Sequence, residues 1–326
     1  MGSRILFITT KNLDYIRNVQ EIELVKKQDP KATIIGSYDS SYFVRLFKVW
    51  FRILFSDLTN YDMVWIGFAP QLVYPLFWKF RKKKVVIDFF ISFYDTLCYD
   101  RKVFSPKSLP GRIIYRLDLA VLKASEIIIC DTKAHREYFK KEFGVTKKEY
   151  RVLYLEADQR IFYPRKVKRP EFLQGKFVVL YFGSILPLQG VEVILAAVES
   201  IKEERELHFC IVGPLEKKLR TRKPEGENIT YINWLPQEEL ADYIAMADLC
   251  LAGHFHKDIR KASRTIPGKA YIYRAMEKAM ILGDNEANRE IFEESEKIVF
   301  VPMGDEKALA TAIVDMKNKK DERNRR

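Results

Sequence analysis

Cysteine, histidine and glycine are all scarce in this 326-residue chain, with four, four and fourteen of each. Cys98, Cys130, Cys210 and Cys250 are scattered, and the last three lie inside apolar, strand-like runs. That placement reads as buried free thiols in a reducing compartment, not a disulfide framework. No second histidine or cysteine stands at a ligand spacing from His135, which argues against zinc. No G-x-G-x-x-G follows any strand, which argues against a dinucleotide oxidoreductase. No uncharged apolar run approaches the roughly 20 residues of a spanning helix, and Met1–Ile8 reads as a first strand, not a secretory signal. There is no internal repeat, no nucleic-acid motif and no low-complexity tract apart from a charged tail.

What is present suits two domains of about 150 residues each. With 48% hydrophobic and 13% aromatic residues, both can bury a core. The formal charge of +12 is unevenly placed. Residues 1–167 hold 30 Lys and Arg against 18 Asp and Glu, whereas residues 168–326 hold 26 of each. The whole excess belongs to the first half and speaks of that half's partner. Strand-like and helix-like segments alternate, the pattern of α/β domains with parallel sheets wound by helices. Expected strands are 4–9, 32–36, 63–67, 84–88, 126–130 and 150–155, then 177–182, 208–212, 229–233, 249–252 and 279–282. Expected helices include 41–55, 112–124, one beginning at 131 or 132, 191–201 and 240–246. The domains are expected at 1–165 and 166–326, with 164–175 as linker; the tail beyond Ala308 begins as a helix and its basic end, from about residue 317, is solvated or frayed.

The stretch from Gly253 to Phe292 organises the second half. An apolar strand ends in a loop carrying Lys257, Arg260, Lys261 and Arg264. Pro267-Gly268-Lys269 then starts a helix, since proline suits a first turn and glycine admits a ligand close to the backbone. A second strand leads into Gly283-Asp284-Asn285-Glu286 and another helix start. Two strand ends and two helix starts converging beside cations make an anion site, most simply for a diphosphate. His254 and His256 lie on the same loop; His208 reads as structural.

This string resembles the donor-binding segment of the retaining GT-B glycosyltransferases of family 4. The resemblance is carried by Arg264, Ile266, Pro267, Lys269, Ala275, Met276, Lys278, Ile281, Gly283, Asp284, Ala287, Arg289 and Glu290. The run Tyr181–Glu192, YFGSILPLQGVE, is similar to the family's first strand and loop of the nucleotide-binding domain. Asn233–Pro236, Ala247-Asp248 and Val301–Asp305 also fall where the family has matching elements. The resemblance covers residues 177–315 well and 60–165 more loosely. It implies a GT-B fold, two Rossmann-like doubly wound domains facing across a cleft. It also implies a nucleoside-diphosphate sugar as co-substrate, retention of configuration, and no obligate cofactor or metal. Donor-binding residues by this resemblance are Gly183, Ser184, Gly190, Lys261, Arg264, Lys269, Asn288 and Glu290, with Arg264 and Lys269 neutralising the leaving diphosphate. The chain departs from the family in two ways. Ser184 and Gln189 stand where relatives commonly carry an arginine and a lysine. Arg264 and Ile272 stand where many carry two glutamates, the second of which grips the ribose; Glu290 or Glu277 would have to replace it.

In the first half, Asp88 sits at a strand's carboxyl end, where open α/β sheets place ligands. The loop that follows gathers Ser92, Tyr94, Asp95, Asp100 and Arg101. Asp88 and Asp95, with His135 in the first turn of a later helix, are the candidate catalytic groups toward the acceptor. Caps and salt bridges within the loop are the alternative for each carboxylate, and a surface or capping role is the alternative for His135. Residues 41–55, SYFVRLFKVWFRILF, read either as a core helix with a solvated stripe of Arg45, Lys48 and Arg52 or as a helix at a membrane surface. The aromatic and basic run 74–84, YPLFWKFRKKK, favours an anionic membrane. The expected protein is therefore a cytoplasmic enzyme, peripheral on the inner face of the cell membrane, acting on a lipid-linked or glycan acceptor. A silent GT-B subunit bound to a partner transferase and a GT-B-like epimerase or phosphorylase are the alternatives, and a partner glycosyltransferase or a second copy of the chain, as a homo-oligomer, is a possible partner.

Overall fold

In a computed structural model that describes residues 3–215 and 223–325, the chain divides into two compact units, Met1–Glu156 and Ala157–Arg326. Each is an α/β unit built on one six-stranded parallel sheet.

The first sheet comprises β1 (Ile5–Asn12), β2 (Thr33–Ser37), β3 (Met63–Ile66), β4 (Lys84–Asp88), β5 (Ile127–Cys130) and β6 (Glu149–Val152). Their order is β2-β1-β3-β4-β5-β6. Met1 and Gly2, assigned to the first strand by sequence, lie outside the described residues. Side chains alternate across the pleat. Leu6 and Ile8 join Val64, Ile66, Val85 and Ile87 in one core, while Ile5 and Phe7 join Trp65, Val86 and Ile129 in the other. Both faces are thus buried, which is why these strands read as unbroken apolar runs.

α1 (Ile16–Gln28) covers the second face and has no counterpart among the helices expected from sequence. Its buried residues are Arg17, Asn18, Glu21 and Val25, so the inward stripe is mostly polar and carries no apolar periodicity. α2 (Tyr42–Phe55), α3 (Leu109–Ala124) and α4 (Lys133–Phe143) pack on the other face. Ser108 caps α3 and Thr132 caps α4, each accepting a hydrogen bond from the backbone N–H three residues on.

α2 corrects one expectation. Its inward residues are Arg45, Val49 and Ile53, whereas Phe43, Phe47, Phe51 and Phe55 are exposed. Arg45 is not a solvated cation: its guanidinium donates to the carbonyls of Asp39 and Ser40. Arg52 donates to the Gly36 carbonyl at 3.0 Å. The apolar stripe faces out, flanked by the exposed Lys48 and Arg52, and only Arg45 of the basic stripe is buried.

The second sheet comprises β7 (Phe177–Phe182), β8 (Leu207–Val212), β9 (Ile229–Ile232), β10 (Leu249–Gly253), β11 (Met280–Gly283) and β12 (Ile298–Val301). Their order is β12-β11-β10-β7-β8-β9. α5 (Val191–Ser200), α6 (Gln237–Met246), α7 (Gly268–Ala275) and α8 (Glu306–Arg325) complete the unit. The tail, expected to begin as a helix and to end solvated or frayed, is helical to Arg325 with its last turn exposed; Arg326 lies outside the described residues. The expected linker is not free either. Arg165 pairs with Asp242 at 3.1 Å, and Arg169 pairs with Asp248 at 2.7 Å, so this segment is fastened to the second unit and the division falls at residue 156. All four cysteines are buried and free.

Candidate functional site

In the second sheet, β7 and β10 are neighbours, but the chain leaves β7 toward β8 and leaves β10 toward β11. The chain thus leaves the two strands in opposite directions, which marks the usual ligand crevice of doubly wound sheets, and the two loops meet there, the Phe255 N–H donating to the Gln189 carbonyl at 3.2 Å. Gly183 to Gly190 forms one wall and Gly253 to Pro267 the other.

Lys269, in the first turn of α7, reaches into this crevice. It is only 6% exposed. Its ammonium donates to Gln189 Oε1 at 3.2 Å and lies 4.3 Å from the centre of the Tyr181 ring. The same amide oxygen also accepts from the Tyr181 hydroxyl. Among the described residues no carboxylate pairs with Lys269. Burial holds its pKa down at about 7, because nothing anionic offsets the loss of water.

Glycine is required around this group. A Cβ on Gly183 would stand 2.6 Å from Gln189 Oε1 and 3.0 Å from Lys269 Nζ. Gly190 has φ +64° and precedes α5; a Cβ there would lie 2.6 Å from the backbone nitrogen of His256. Both glycines thus answer to close packing within the unit, Gly190 against the loop after β10.

His254 is buried, with Nδ1 3.1 Å from the Thr265 carbonyl oxygen. Burial, with the Lys269 charge nearby, drives its pKa down to about 3, so it is neutral. His256 Nδ1 accepts from the Asp258 backbone N–H. Ser184 is exposed, while Arg264 and Lys261 are half-buried at the 3₁₀ turn Arg260–Ser263 that precedes α7. Asn288 is fully buried, and its side-chain amide donates to the Gly283 carbonyl at 2.8 Å, folding the loop after β11. Glu290 is half-buried on that loop. Glu277 is exposed just past the C-terminal end of α7, the end opposite Lys269, and so is no stand-in for a ribose-binding glutamate at the crevice.

The first unit treats its charges differently. Asp88 is fully buried and receives Arg17 Nε and Nη2 at 3.0 and 2.8 Å; a third guanidinium N–H goes to the Leu153 carbonyl. Burial raises the Asp88 pKa, and the guanidinium opposes that rise. The expectation that Asp88 presents a carboxylate to a substrate is corrected: its two oxygens are used inside the unit. Asp95 is 1% exposed and accepts from the Tyr138 hydroxyl at 3.3 Å, so it too presents no carboxylate at the surface. His135 is fully buried, its Nδ1 2.7 Å from Asp131 Oδ1. Burial alone would raise Asp131, but the His135 imidazole and Arg17 hold it below the usual range. Asp118, not singled out by sequence, fastens the loop instead. It accepts from Ser92, Tyr94 N–H and Gln71, and burial lifts its pKa to about 6.

Two parallel, doubly wound six-stranded sheets in one chain define the GT-B class of fold. Residues 176–319, all within the second unit, match the family model described as "Glycosyl transferases group 1". A sequence comparison with curated proteins finds no match. Among solved structures, the chain is similar to sucrose-phosphate synthase from Thermosynechococcus elongatus. The identity is 14% and the TM-score 0.66, with 97% of this chain and 90% of that one covered. It is also similar to HepE from Anabaena in complex with UDP-glucose, at 12% identity and a TM-score of 0.67, over 98% and 91% of the two chains. A third is a UDP-forming α,α-trehalose-phosphate synthase from Burkholderia xenovorans, at 10% identity and a TM-score of 0.63, over 96% and 91%.

Proposed function

We propose that the protein is a glycosyltransferase moving a sugar from a nucleoside-diphosphate sugar to a lipid-linked or glycan acceptor, with retention of configuration and no obligate metal. Lys269 carries this reading. It is a buried cation, without a carboxylate partner among the described residues, at a helix start beside glycine backbone. An uncompensated buried charge is costly, and a diphosphate seated there would remove the cost. Lys269 then neutralises the leaving group, with Arg264 and Lys261 flanking it. Gly183 and Gly190 admit the phosphates to the backbone, and Ser184 adds a hydroxyl. Asn288 shapes the loop carrying Glu290, the remaining candidate for the ribose hydroxyls. Losing one such electrostatic donor costs about 3 kcal/mol of transition-state stabilisation in comparable sites.

The neighbouring structures described with UDP or UDP-glucose make UDP the first nucleotide to test. The acceptor falls to the basic first unit, in which Asp88, Asp95 and His135 position the surrounding loops instead of meeting substrate. The enzyme works in the cytoplasm, peripheral on the inner face of the cell membrane, as the basic first half suggests. Thermal-shift measurements against UDP-, GDP-, ADP- and CMP-sugars test the donor assignment. One nucleotide class should raise Tm, and Lys269→Met should abolish that shift. Silence across the panel, or an equal shift in the variant, contradicts it. Ile272 favours a second reading, a silent subunit, because isoleucine accepts no hydrogen bond from ribose. That reading expects no donor hydrolysis by the chain alone and co-purification with another transferase.

A further inference from the structure

The outward face of α2 is the least expected surface of the molecule. Phe43 is 83% exposed, Phe47 73% and Phe55 74%, with Phe51 and Leu54 also exposed between them. Positions 43, 47, 51, 54 and 55 share one helix face, opposite the buried Arg45, Val49 and Ile53. Monomeric proteins rarely leave so many large apolar groups contiguous in water without a use for them.

A second segment is locked to this face. The Lys79 ammonium donates to the carbonyls of Ile53 and Leu54 at 2.8 and 2.6 Å and to Ser56 at 3.2 Å, capping the C-terminal end of α2. Trp50 Nε1 donates to the Leu72 carbonyl at 2.8 Å. Trp78, 56% exposed, therefore stands beside the C-terminal end of the phenylalanine stripe, and Arg81, Lys82 and Lys84 follow it in water.

We infer that α2 lies in the plane of an anionic bilayer, its phenylalanines inserted among the acyl chains and Trp78 at the headgroup level. Arg81, Lys82 and Lys84 meet the phosphates. Charge selects this occupant. Residues 41–84 hold eight Lys and Arg against two Asp and Glu, so a second copy would bring like charge to the interface, whereas anionic headgroups bring the opposite one. The cations that meet lipid are thus those after Trp78, not Arg45 or Arg52, which are bonded to carbonyls within the unit. No helix among the described residues is long and apolar enough to cross a membrane, so the attachment is reversible and one-sided. This deepens the membrane-surface part of the proposed function and is independent of its sugar chemistry.

Flotation of the full chain with phosphatidylcholine vesicles, with and without phosphatidylglycerol, tests the inference. The protein should float only with phosphatidylglycerol present, and less as salt rises. Phe47→Asp/Phe51→Asp should weaken partitioning by about a hundredfold, since two buried phenylalanines are lost. Arg81→Glu/Lys82→Glu should remove the dependence on anionic lipid. Both pairs are exposed, so Tm and any donor-induced thermal shift should stay as in the wild type, which separates this test from that of the donor site. Wild-type protein that ignores the vesicles, or a Phe47/Phe51 variant that floats unchanged, overturns the inference. A wild-type dimer by light scattering that this variant converts to monomer overturns it too, in favour of a contact between copies.

Discussion

The carboxyl edges of the two sheets hold buried charge in opposite states. In the first unit Arg17 spends its guanidinium on Asp88 and a carbonyl, and His135 spends Nδ1 on Asp131. In the second unit Lys269 meets, among the described residues, an amide oxygen and aromatic faces but no carboxylate. A buried charge with an internal partner holds a structure together; one without a partner is a place for a ligand of opposite sign. The same topology thus gives a frame in one half and the proposed donor site in the other.

The sharpest way to break this contrast is to open the ion pair. Asp88→Ala leaves the Arg17 guanidinium buried without its carboxylate and should cost about 3–5 kcal/mol in denaturant unfolding. Arg17→Met/Asp88→Leu should recover most of that loss, because two apolar groups need no partner. A small loss in Asp88→Ala would mean that Asp88 is not a structural group. A milder way is to fill the crevice wall. Gly190→Ala meets the His256 backbone at 2.6 Å in a left-handed conformation, and backbone cannot give way as a side chain can. It should cost roughly 1–3 kcal/mol and weaken donor binding. Unchanged Tm and donor affinity would contradict the close approach.

Much of this was legible in the sequence, and the failures share a cause. The central strands of both sheets showed as apolar runs because they are buried on both faces, whereas the edge strand β12 (Ile298–Val301) was not among those expected. Lys269 showed because Pro-Gly-Lys after an apolar strand signals a helix start facing an anion. α1 did not show, since its inward stripe of Arg17, Asn18 and Glu21 is polar and its meaning depends on Asp88, 71 residues beyond Arg17. For the same reason Asp88 and Asp95 looked like free carboxylates: a partner distant in sequence leaves no local pattern. α2 was legible as amphipathic but not in its orientation, which the core decides. Gln189 looked like a lost lysine; that it would accept from the Lys269 ammonium required the loop's path.

Proton linkage gives the most direct test of the claim that Lys269 waits for a diphosphate. Its folded pKa, about 7, lies below the ordinary lysine value of 10.5, so the unfolded chain holds more protons between those values. Its contribution to stability should therefore improve as pH rises through that window. A bound diphosphate favours the ammonium and must draw in a proton above pH 7, so affinity should fall as pH rises. Calorimetric titration with UDP at about pH 6 and about pH 8.5, in buffers of different ionisation heat, measures that proton. The account predicts proton uptake and weaker binding at the higher pH, both absent in Lys269→Met. Equal UDP affinity in the wild type and this variant at both pH values would contradict it.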